Sequence, residues 1–145
     1  MPSRLDRGTR IYATVLAVLV LVIVIGYRFA GYSPRLDELN ELLASDPELA
    51  NYPYRFRVIE FDADKGRAVV TSPRSPLVPA TRAIGILFPK LAGRPADDPE
   101  VQAAQKDLAR HQARARKLLL QQPDVKEVIW QLDRQWYQSH GVPIM

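Results

Sequence analysis

Residues 11–26, IYATVLAVLVLVIVIG, run for sixteen positions without a charge and with one weakly polar side chain, Thr14. Such a stretch belongs in hydrocarbon, where a helix satisfies its own backbone donors and acceptors. At about 1.5 Å per residue it falls slightly short of a bilayer core of about 30 Å. Residues 27–32 make up the difference, because Arg28 can return its guanidinium to the headgroups while its methylenes stay in apolar surroundings. The expected span is therefore 11–32, with Tyr12, Tyr27 and Tyr32 at the interfaces, where amphipathic rings are favoured. A tail of residues 1–10 precedes it and a soluble domain of residues 33–145 follows.

Orientation follows from flanking charge. Arg4, Arg7 and Arg10, with the amino terminus, stand before the span against Arg28 and Arg35 after it, so the tail is expected in the cytoplasm. In a bacterium this reads as a single-pass inner-membrane protein with a periplasmic domain. The competing reading is a cleaved signal peptide, since a basic start and an apolar stretch lead to the small-residue site Val24-Ile25-Gly26. Against cleavage stand the length of the apolar run, its β-branched content and the bulky Tyr27-Arg28-Phe29 that follows.

The chain carries twenty Lys and Arg and sixteen Asp and Glu. Four of the bases but only one of the acids, Asp6, flank the span, which leaves sixteen against fifteen in the remainder. A domain so nearly neutral lacks the basic footprint of a nucleic-acid binder. Cysteine is absent, which excludes disulfides, thiolate metal sites and a cysteine nucleophile.

Along the soluble part, Ser33-Pro34 reads as a helix start and places Leu36, Leu39, Leu42 and Leu43 on one face, ended by Ser45-Asp46-Pro47. Alternation in residues 54–59 puts Tyr54, Phe56 and Val58 on one side of a strand, and Phe61 breaks the phase, so a bulge or strand end is expected near Glu60. Asp62-Ala63-Asp64-Lys65-Gly66 supplies turn chemistry, and residues 67–71 form the return strand of a hairpin. Six prolines between positions 73 and 99 interrupt regular structure and read as a Pro-rich insertion of turn or polyproline geometry. Within it Ala83-Ile84-Gly85-Ile86-Leu87-Phe88 is too apolar for water and is expected as an extra strand, a buried loop or a contact surface.

Asp98 and Pro99 cap a helix running to about Leu120, with Val101, Ala104, Leu108, Ala115 and Leu119 on one stripe and Lys106, Arg110, Arg114 and Lys117 opposite. Residues 123–143 satisfy both strand and helix periodicities. Their β-branched and aromatic content favours a strand over 125–132, then a short helix capped by Asp133 and stopped at Gly141. The expected fold class is thus α+β: one transmembrane helix, then a small αββαβ domain whose hairpin and C-terminal strand pack on a long amphipathic helix.

That element order, with GRAVVTSP at 66–73 and QPDVKEVIWQL at 122–132, resembles the BON domain, an envelope-associated αββαβ module. Asp124 stands where that family has a glycine. The resemblance implies a periplasmic, non-enzymatic module that contacts phospholipid or other envelope components.

Catalytic chemistry finds no foothold in the pattern. His111 and His140 lie far from any second ligand at metal spacing, and the pairs Asp62/Asp64 and Asp97/Asp98 have turn and cap roles of their own. No catalytic residue, cofactor, metal or nucleic-acid partner is expected. The expected partners are the bilayer, through residues 11–32, and an envelope or membrane-complex protein contacted through Ile84, Ile86, Leu87 and Phe88. The alternative is a lipid-surface module that meets anionic headgroups through Lys106, Arg110, Arg114 and Lys117.

Overall fold

The computed structural model describes residues 6–29 and 33–144 and divides between Pro34 and Arg35 into two compact units. The first contains, among its described residues, one long helix, α1, Arg7–Phe29. Its 23 residues extend about 34 Å, enough for a bilayer core. Large apolar side chains along it are exposed throughout, from 46% at Ile25 to 86% at Tyr27. By length and composition the helix fits a membrane span and fits a signal sequence equally. It begins four residues before the expected span, where the Asp6 carboxylate accepts the Arg7 amide at 2.8 Å. The interfacial Tyr32 and the flanking Arg4 lie outside the described residues.

The second unit is α+β, built on a three-stranded mixed sheet in the order β1-β2-β3. Strands β1 (Val58–Asp62) and β2 (Arg67–Ser72) form the antiparallel hairpin, and the register slips between Val58 and Glu60. The bulge accounts for the change of phase at Phe61. At the turn, the Asp62 carboxylate accepts the amides of Asp64 (3.0 Å) and Lys65 (3.2 Å), and Gly66 turns the chain at φ +64°. That glycine is irreplaceable for a second reason. A Cβ there would stand 2.8 Å from the Asp124 carbonyl, while the Gly66 carbonyl accepts the amides of Lys126 (2.7 Å) and Glu127 (3.1 Å).

Strand β3 (Glu127–Leu132) pairs parallel to β2 from Arg67↔Glu127 to Ser72↔Leu132. A parallel neighbour needs a long return connection. Its main part is α5 (Pro99–Leu120), capped by Asp98, whose carboxylate accepts the Glu100 and Val101 amides. Val101, Leu108, Ala115 and Leu119 on the expected stripe are buried.

The Pro-rich insertion is more ordered than its composition suggested. Residues Ala80–Leu87 form a helix, α4, neither strand nor loop, followed by a 3₁₀ turn at Pro89–Leu91. The prolines explain the boundaries. None falls inside 80–87, Pro79 precedes the first turn, and Pro89 forces Phe88 out of helical geometry.

Helix α2 (Pro34–Ala44) buries Leu39 and Leu43 in the domain's core, and the single turn α3 (Pro47–Ala50) adds Leu49. With Tyr54, Phe56, Val58, Val70 and the α5 stripe they form one continuous cluster. The last helix, α6 (Arg134–Ser139), is capped by Asp133 through the Trp136 amide at 3.0 Å. It sinks Tyr137 completely, and that hydroxyl donates to the Pro73 carbonyl at 2.5 Å.

Gly66→Ala must strain the turn and push the Asp124–Lys126 segment aside. Urea denaturation of the variant is expected to show a loss of about 1–3 kcal/mol.

Candidate functional site

One hollow combines an apolar floor with a charged rim. It lies where α2, α3 and the extended segment before β1 meet, and it holds about 420 Å³. Leu43, Ala44, Leu49, Ala50 and Phe56 supply apolar surface, and Asn40, Glu41, Arg55 and Arg57 supply polar groups. The local sequence explains the arrangement. Residues 52–58 alternate strictly between buried and exposed, so Tyr54, Phe56 and Val58 enter the core while Arg55 and Arg57 stay outside. Asn40 fixes α2 against the strand edge with both ends of its amide: the Val58 N–H donates to Oδ1 at 2.7 Å, and Nδ2 donates to the Val58 carbonyl at 2.8 Å.

Arg55 and Arg57 also line a second hollow of about 480 Å³, whose other walls include Tyr54, Asp133 and Trp136. Their states differ. The Arg57 guanidinium lies 3.9 Å from the Asp133 carboxylate, which also accepts the Tyr54 hydroxyl at 2.9 Å. Arg55 makes no ion pair among the described residues. By alternation alone these arginines form the polar face of a strand. The available signal was two cations two residues apart, on one face, with no acid nearer than Glu60.

Of the contact residues expected in the apolar run, Ile84 and Leu87 are buried in α4, Ile86 packs beside Tyr137, and Phe88 packs on the main core. Ile84 and Leu87 turn inward from α4, while Ile86 and Phe88 are half-buried.

The basic stripe on α5 is likewise reduced. Arg114 turns inward and its guanidinium meets the Asp46 carboxylate at 2.7 Å. Asp46 is 7% exposed and caps α3 by accepting the Leu49 amide, so Arg114 neutralises a buried charge. Arg110 pairs with Asp107 at 2.6 Å, while Lys106 and Lys117 remain exposed. The pairing of Arg114 is not visible in the sequence because its partner is a cap 68 residues away.

His111 stacks on Tyr52 with ring centroids 4.0 Å apart, its Nδ1 2.8 Å from the Asp107 carbonyl. The Tyr52 hydroxyl is buried and has no partner among the described residues. His140 closes α6 with Nδ1 2.7 Å from the Trp136 carbonyl. No group of three or more metal-ligating side chains converges among the described residues.

Comparison of the chain with known protein families, curated proteins and solved structures returns no match. What the domain does must therefore be argued from its own surface.

Two carboxylates carry the electrostatics of the fold. The hydrogen bond from Arg114 holds Asp46 below the usual carboxylate range. Arg35 does the same for Asp124, which it grips with two bonds of 2.6 and 2.8 Å. Burial drives the Tyr137 hydroxyl up to about 12. Because Asp46 and Asp124 ionise more readily folded than unfolded, they stabilise the domain above about pH 4, and that stability is lost as pH falls through their folded pKa. Denaturation midpoints measured from pH 6 to pH 3 should fall steadily. Asp46→Asn should start lower at pH 6 and give a shallower acid limb. Tyr52→Phe removes an unpaired hydroxyl and is expected to leave stability unchanged or raise it by up to about 1 kcal/mol in the same assay.

Proposed function

We propose that the chain is a single-pass membrane-anchored envelope protein whose folded domain binds a partner protein and does no chemistry of its own. The observation that carries this reading is the groove rimmed by Arg55, Arg57 and Glu41, an apolar floor beside an arginine, Arg55, that makes no ion pair among the described residues. Apolar surface supplies the affinity and a few placed polar groups the selection. The occupant that fits is an apolar segment of another protein ending in, or flanked by, a carboxylate, because a guanidinium binds carboxylate oxygens in a planar fork.

Helix α1 supports the anchored half of the reading through its length and uninterrupted apolar surface. Arg7 and Arg10 before the apolar run favour a cytoplasmic tail and a periplasmic domain. An anchor confines both partners to one surface, so a weak groove contact suffices. The lipid-surface alternative draws on α5, where Arg114 is spent on Asp46 and Arg110 is shared with Asp107, and so it has less support.

Two measurements test the proposal. Full-length protein should resist extraction from membranes by alkaline carbonate; release into the soluble fraction would overturn the anchor. In detergent, an acetylated Leu-Leu-Phe peptide with a free carboxylate should bind, and its amide should bind about tenfold more weakly, a difference of about 1.4 kcal/mol. Arg55→Glu should abolish the preference. Equal binding of acid and amide, or none, would overturn the groove.

A further inference from the structure

The two edges of the sheet are treated differently. On the β1 side the register slip distorts the edge, and the Asn40 amide occupies both backbone groups of Val58. Natural sheets blunt their edges in this way. Strand β3 has neither device. Its pairing with β2 is continuous over six residues, with no bulge and no proline.

The amides of Glu127 and Asp133 donate to Gly66 and Ser72 at the two ends of the strand, which turns the odd-numbered residues toward β2. Val128, Trp130 and Leu132 therefore direct their backbone N–H and C=O groups away from the sheet, and none of these has a partner among the described residues. Val128, Trp130 and Leu132 are half-buried against the core, while Glu127, Ile129 and Gln131 are exposed on the open face. No residue of β3 is buried, whereas four of the six in β2 are. Ile129 is 37% exposed and lies beside Val69 on the open face.

We infer that β3 pairs antiparallel, edge to edge, with β3 of a second copy of this chain, with Ile129 facing Ile129 across a two-fold axis. The open-face side chains select this register. With Ile129 on the axis, Glu127 meets Gln131, and Val128 meets Trp130, an aliphatic–aromatic pair of the kind that stabilises sheets. One step along, with Trp130 on the axis, Ile129 would face Gln131, and Glu127 would run past the end of the partner strand at Leu132. One step back, with Val128 on the axis, only residues 127–129 would find partners within the strand, where the favoured register pairs 127–131. The favoured register also joins Val69 and Ile129 of each copy into one apolar row across a six-stranded sheet. A two-fold of this sort uses the same strand twice and closes on itself, so assembly stops at the dimer.

The absence of native cysteine makes the register directly readable. In full-length protein in detergent, Ile129→Cys should form an interchain disulfide under mild oxidant about tenfold faster than Ala113→Cys on the exposed side of α5, since facing residues bring Cβ atoms to about 4.5–5.5 Å. Glu127→Cys and Gln131→Cys should link when mixed and stay slow when alone. Ile129→Lys places two ammonium groups on the axis and should halve the sedimenting mass with far-ultraviolet dichroism unchanged. A wild-type monomer, an Ile129→Cys rate no higher than that of Ala113→Cys, or fastest linkage between Ile129→Cys and Gln131→Cys would each overturn the inference. The first two results would assign the edge to a strand of a different protein.

Discussion

Parallel pairing of β3 with β2 is the constraint from which the rest of the domain follows. Two parallel neighbours cannot be joined by a tight turn, so the chain must travel back along the sheet before it can pair again. The return is made by α5, whose 22 residues extend about 33 Å. Once there, the helix covers the sheet with its apolar stripe and reaches sideways to hold α3 through Arg114 and Asp46. Cap, cover and clamp are three uses of one obligatory crossover.

Local chemistry was legible in the sequence and tertiary destination was not. The bulge near Glu60, the Asp98 and Asp133 caps and the strand-then-helix order of the C-terminal segment all rest on residues within a few positions of one another. Helix α4 was hidden because six prolines dominate the composition of its region, although they bracket residues 80–87 and leave them free. The partner of Arg114 was hidden for a different reason. A helical wheel assigns a direction to a side chain but says nothing of a buried carboxylate contributed by another element. The groove was least visible of all, since its floor and rim come from α2, α3 and the segment before β1, and only their meeting creates a concavity.

Charge in this domain is divided between structure and surface. Arg35 ties the first turn of α2 to Gln122 and Asp124 in the loop that enters β3, and Arg114 ties α5 to α3. Asp124 is thus explained by its partner, where a glycine would leave Arg35 without its forked acceptor. Arg55 makes no ion pair among the described residues and lines the groove between α2, α3 and the segment before β1.

The turn glycine reaches further than a turn. By receiving the amides that open β3, Gly66 joins backbone segments some sixty residues apart in sequence. Hairpin formation is a local event, but the central strand keeps one side vacant until the distant C-terminal segment arrives. During synthesis, β2 therefore waits with a bare flank while most of the crossover is still being made, and the domain's exposure to mispairing is greatest in that interval.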